Sequence, residues 1–168
     1  MFPRERFADV LAANERYAAD FTDSDMAGRA AQGLAIVTCM DSRVDPLRVV
    51  GMQPGDVKTL CNAGARVTDE ILRTLVIAAY LLEVDRVLVM PHTRCKMASA
   101  TEEQIHETIE QQYGVNTRLY EFRTTTDQEA ALRYDLQRIR SNPLLPPDLV
   151  AAGAIYDVDT GVLTPLDD

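Results

Sequence analysis

Cysteine, histidine and uninterrupted apolar sequence are all scarce in this chain, and each scarcity removes a class of protein. Three cysteines in 168 residues are too few, and odd in number, for a disulfide framework. No two of them form the Cys-x-x-Cys pair of a thiol oxidoreductase. In a reducing compartment they are left as buried thiols, nucleophiles or metal ligands. The longest apolar run, Leu75 to Leu82, falls far short of the roughly 20 residues that span a bilayer. The first residues carry charges where a secretory signal needs an apolar segment, so a cytoplasmic location and no membrane partner are expected. Eight glycines and eight prolines, thinly spread, exclude collagen and low-complexity sequence. Basic residues are outnumbered 17 to 26, for a net charge of −9, and a field of that sign repels phosphate backbones, so nucleic acid is excluded as a partner. What remains, 46% apolar and 26% charged, is ordinary globular composition, and the length suits a single domain over residues 1–168.

Four short apolar runs have strand length: Leu34–Cys39, Val57–Cys61, Arg86–Pro91 and Ala154–Val158. They do not alternate with polar residues, which suits strands covered on both faces of a parallel sheet. A fifth, Gly161–Pro165, follows the turn signal Asp159-Thr160-Gly161 and reads as an antiparallel edge strand tolerant of Pro165. Helical patterns lie between the runs. Phe7, Val10, Leu11, Tyr17, Ala18 and Phe21 share a face of an N-terminal helix, at about residues 4–21. Asp69 to Leu82, capped by Thr68, is apolar nearly all round and is expected to be deeply buried. Thr101-Glu-Glu-Gln104 and Thr126-Asp-Gln-Glu129 both fit the capping box, and the second helix is stopped by Asn142-Pro143. Strands alternating with helices predict an α/β fold with a mostly parallel central sheet flanked by helices.

Such sheets bind ligands outside the carboxyl ends of their strands. Cys39, Cys61 and His92 with Cys95 stand at three of those ends. His92-Thr-Arg-Cys95 lets an imidazole and a thiol reach one ion from a single turn, and Cys39 can join them from another strand. Two thiolates and one imidazole are three protein ligands, the number found at catalytic zinc, although two satisfied polar residues on a loop would give the same local spacing. Asp41 lies two residues after Cys39 and two before Arg43, so a carboxylate and a guanidinium can pair beside the metal, or simply bridge a turn. In the first case Asp41 has two states: held away from the metal by Arg43, or swung in as fourth ligand in a closed form.

Cys39-Met-Asp-Ser-Arg43, Asn62-Ala-Gly-Ala65 and His92-Thr-Arg-Cys95, in this order and at these separations, resemble the β-class carbonic anhydrase family. The resemblance implies zinc bound by Cys39, His92 and Cys95, a catalytic dyad of Asp41 and Arg43, and a parallel sheet in the order 2-1-3-4 with an edge strand. It implies reversible hydration of carbon dioxide to bicarbonate, with water acidified by the metal as nucleophile. Met40, Gly64 and Ala65 are then candidates for the substrate pocket, with Met90 and Met97 as further walls or ordinary core. Two alternatives share the motifs: a zinc hydrolase acting on carbonyl sulfide or carbon disulfide, and a non-catalytic zinc protein, against which the intact Asp41 and Arg43 argue. Many relatives carry Gly where Lys96 stands, and Arg where Cys61 stands; Lys96 and Arg94 could attract bicarbonate or be solvated, and Cys61 is read as a buried thiol. His106, among Glu102, Glu103, Glu107 and Glu110, is read as a solvated surface residue rather than a proton shuttle. The N-terminal apolar stripe is expected to pack on a partner subunit, making a homodimer or a multiple of one.

Overall fold

The computed structural model describes residues 1–167. The apolar runs form β1 (Leu34–Cys39), β2 (Val57–Asn62), β3 (Arg86–Met90), β4 (Val150–Tyr156) and β5 (Leu163–Pro165). They make one sheet in the order β2-β1-β3-β4-β5, parallel throughout except for β5, which is antiparallel to β4. This is the predicted order. β1 is buried at all six positions because it is central and both faces are covered. Ala35 and Val37 point to the face where α3 (Asp69–Leu81) and α5 (Gln128–Arg140) supply Ile71, Leu75, Ala78, Leu132, Leu136 and Ile139. Leu34 and Ile36 point the other way, against Val44, Leu47, Val49, Val50 and Met52 in and around the short α2 (Pro46–Val50). Met90 belongs to this second core, so it is packing rather than a wall of the site.

Several element boundaries differ from the sequence reading. β4 starts at Val150, four residues early, and Val150-Ala-Ala-Gly153 pairs with Arg86–Val89 although it carries little branched apolar character. Small residues are needed there, since a Cβ on Gly153 would come within 2.9 Å of Leu132 on α5. β5 starts at Leu163 because residues 157–162 are spent on the turn, with the Asp157 carboxylate accepting from the amides of Asp159 and Thr160. Thr101 and Gln104 form the expected capping box of α4 (Glu102–Tyr113). The cap of α5 is Asp127 rather than Thr126; its carboxylate accepts from Ala130 N–H at 2.9 Å. α3 is not deeply buried: Ile77, Tyr80 and Leu81 face outward. α2 is too short for periodicity to find, though Asp45-Pro46 is a sound start signal, with Asp45 accepting from Arg48 N–H. The N-terminal segment is a 3-10 turn (Arg4–Phe7) leading into α1 (Ala8–Ala19), and neither has a buried residue. No helix among the described residues is long and apolar enough to cross a membrane.

Candidate metal centre

β1 and β3 are neighbours in the sheet, yet the chain leaves β1 toward β2 on one side and returns to β3 on the other. Their carboxyl ends therefore open side by side at a topological switch point. Cys39 ends β1; Pro91, His92 and the turn to Cys95 follow β3. His92 is fully inaccessible and both cysteines are buried. One ligand atom from each lies within 4.8 Å of the other two, and the two sulfurs are 3.9 Å apart. These three could hold a metal ion.

The imidazole is set up to offer a lone pair. Its Nδ1 is 2.8 Å from the Thr93 carbonyl, which can only accept, so the ring proton is assigned to Nδ1. Nε2 then carries the lone pair, and it is the one buried side-chain polar atom among the described residues with no hydrogen-bond partner. Gln128 on α5 donates to the His92 carbonyl at 2.9 Å and fixes the residue from behind. Cys39 accepts from the Gly64 amide at 3.4 Å. The two sulfurs lie within hydrogen-bond reach of each other, and this contact together with the Gly64 amide lowers the pKa of Cys39 to about 5 against the opposing effect of burial, while the same contact and burial push Cys95 up.

Asp41 stands at the rim. Arg43 Nε and Nη2 each donate to one of its carboxylate oxygens at 2.8 Å, and the Arg43 amide adds a third bond at 3.0 Å. This fork holds the carboxyl well below the usual carboxylate range. Asp41 Oδ2 is 3.7 Å from His92 Nε2, so the ionised carboxylate adjoins the candidate ligand set while committed to Arg43. Of the three pocket candidates, Ala65 packs against Cys39 and Cys95, together with Met97 and Ala98. Gly64 adopts φ 82°, and a Cβ there would meet Met97 at 3.1 Å, so both the turn and the close approach call for glycine. Met40 is 72% exposed and walls nothing within this chain.

Two readings from the sequence are corrected. Cys61 is exposed, because β2 is an edge strand and this position faces outward. His106 is buried: Nδ1 lies 2.8 Å from Thr117 Oγ1 and the ring packs on Phe122 at 5.1 Å, both from a segment that folds back over α4. Arg94 is not a free cation, since it pairs with Asp159. The sequence reading also missed Arg66, Asp135 and Gln128. Arg66 pairs with Asp135 at 2.7 Å, and the Asn62 side chain bonds both the amide and the carbonyl of Arg66, closing the loop that carries Gly64 to Cys39. The available signal was Asp135 itself, a carboxylate set among Leu132, Leu136 and Ile139 on the apolar face of α5.

A family model described as carbonic anhydrase matches residues 34–163. β-Carbonic anhydrase 1 of Mycobacterium tuberculosis is 32% identical over 155 residues, covering 92% of this chain and 94% of that protein. The crystal structure of carbonic anhydrase from Streptococcus mutans superposes with a TM-score of 0.89 at 34% identity, covering 96% of this chain and 97% of that one. A carbon disulfide hydrolase of Acidianus sp. is 26% identical over 151 residues, covering 76% of this chain and 74% of that protein.

Proposed function

The chain belongs to the β-carbonic anhydrase family, and from that premise we propose that it catalyses the reversible hydration of carbon dioxide to bicarbonate at a zinc ion held by Cys39, His92 and Cys95. The observation that carries this reading is the unpartnered, fully buried Nε2 of His92, converging with the sulfurs of Cys39 and Cys95. The donor set fits zinc. Two soft sulfurs and an imidazole disfavour magnesium and calcium, three protein ligands leave one position open, and the 3.9 Å sulfur separation is close to the edge of about 3.8 Å expected of a tetrahedron with 2.3 Å bonds. When bound, zinc acts as a Lewis acid that brings the pKa of water to about 7.

The protein's residues do the rest. Asp41, ionised across the neutral range, can only accept hydrogen bonds, so it would accept one from the O–H of the nucleophile and leave that oxygen's lone pair oriented toward the substrate. Arg43 keeps Asp41 charged and aimed, with Nε and Nη2 spent on the two carboxylate oxygens. Serving as a fourth ligand would compete with the two bonds Asp41 accepts from Arg43. Ala65, packed against Cys39 and Cys95, and Gly64 beside it would offer the substrate an apolar wall without side-chain donors, which suits a molecule with no charge or dipole. Stopped-flow CO2 hydration by zinc-loaded protein tests the reading, with carbon disulfide run in parallel because of the 26% identical hydrolase. Rapid CO2 hydration is expected; turnover of carbon disulfide with none of CO2 would overturn it.

The same reading includes a homodimer, or a multiple of one, with the N-terminal helix on the partner. Phe7, Val10, Tyr17 and Phe21 are all exposed, and an apolar stripe of that length is stabilised by being covered. Exposed Met40 becomes a pocket wall only under another chain. A cytoplasmic location, where thiols stay reduced, suits the three free cysteines. Removing residues 1–21 should halve the mass seen by light scattering and lower CO2 hydration as well. A dimer of full activity after the deletion would contradict this role of the helix.

A further inference from the structure

Four non-glycine residues among those described have positive φ, and Arg94, at 54°, sits between two candidate ligands. Every side chain with a Cβ is disfavoured there, so something must hold it. The left-handed turn aims the Arg94 carbonyl at Arg43, whose Nη2 donates to it at 3.2 Å. The same nitrogen donates to Asp41 Oδ2 at 2.8 Å. With acceptors on two sides, the guanidinium cannot rotate without giving up one of them.

The turn between β4 and β5 grips this segment from outside. Thr93 N–H donates to the Tyr156 carbonyl at 2.8 Å, Val158 N–H donates to Thr93 Oγ1 at 3.1 Å, and the Arg94 guanidinium pairs with Asp159. Asp159 is itself fixed, because its amide donates to the Asp157 carboxylate at 2.8 Å. A continuous path of polar contacts therefore runs from an exposed acid, through Arg94 and Arg43, to Asp41.

We propose that Arg94 and Asp159 are positioning residues: their ion pair keeps Arg94 in the left-handed conformation, and the Arg94 carbonyl then locks Arg43 in the orientation that holds Asp41. The inference rests on the reading of Asp41 and Arg43 as the catalytic pair. It also gives Arg94 a role other than capture of bicarbonate, since a guanidinium engaged by Asp159 is not free for an anion.

The two roles separate kinetically. If Arg94 positions, Asp159→Asn lowers kcat for CO2 hydration about two- to fivefold, the range an exposed ion pair supports, with KM unchanged. If Arg94 captures bicarbonate, freeing it lowers KM for bicarbonate and leaves kcat alone, which overturns the inference. Arg94→Val, whose branched Cβ opposes positive φ, loses more than Arg94→Gly, which accepts it. In the Arg94→Gly background, Asp159→Asn adds no further loss; an additive loss overturns the inference. A second readout needs neither metal nor turnover: solvent exchange of the Arg43 Nε–H by NMR in metal-free protein, its signal assigned by loss in Arg43→Lys. Exchange should quicken in Asp159→Asn and more in Arg94→Val, and unchanged exchange in both contradicts the locking. Should the native protein hydrate no CO2, the functional reading falls while the exchange comparison still decides this one.

Discussion

Cys39→Ala, His92→Ala and Cys95→Ala are each expected to purify without zinc and to lose CO2 hydration by about 10³-fold or more, the several kcal/mol a metal contributes to the transition state. The three donors converge from two strand ends within 4.8 Å, so removal of any one leaves two protein ligands, fewer than the three that catalytic zinc sites use. The His92 variant is the cleanest. Its Nε2 makes no hydrogen bond within the protein, so the polar partner that truncation leaves behind is the Thr93 carbonyl bonded by Nδ1–H, a loss that the fold measurement separates from loss of metal. Metal analysis beside circular dichroism checks all three; full zinc retention in any variant would remove that residue from the set.

Asp135→Ala is expected to cost about 3–5 kcal/mol of stability. Arg66 Nε donates to Asp135 Oδ2 at 2.7 Å and Nη2 to Oδ1 at 3.3 Å, and the two side chains are only 12% and 2% exposed. Without the carboxylate, a nearly buried guanidinium keeps one acceptor, the Arg123 carbonyl. The double change Arg66→Met with Asp135→Leu should recover most of the loss, because no unpaired charge stays behind. Urea unfolding of the three proteins measures this. A loss below about 1 kcal/mol for Asp135→Ala would mean the pair is solvated and contributes as a surface bridge does. The effect should reach the site, since the Arg66 backbone anchors the loop that presents Gly64 N–H to Cys39.

The candidate ligands were legible in the sequence because a strand end is a local feature: apolar runs locate Cys39 and His92, and the alternation of strands and helices brings those ends to one rim. The Asp41–Arg43 ion pair was legible as spacing, since Asp-x-Arg allows the fork that the structure shows. What lies behind the site was not. Asp135 and Gln128 act through contacts 69 and 36 residues away in sequence, and nothing in α5 alone says that its polar residues meet Arg66 and the His92 carbonyl. Cys61 and His106 were misread for one reason: exposure depends on distant chain, the missing neighbour beyond β2 in one case and the returning segment with Thr117 and Phe122 in the other. Hydrophobicity alone placed α3 too deep, because Ile77, Tyr80 and Leu81 lie on the face that meets no other element of this chain.

X-ray absorption at the zinc edge of the loaded protein tests the central claim most directly. Two sulfurs at about 2.3 Å with light donors, imidazole among them, at about 2.0–2.1 Å are expected from Cys39, Cys95 and His92, and the sulfur count should fall to one in Cys95→Ala if any metal is retained. A shell with no sulfur, or one unchanged by that substitution, would contradict it.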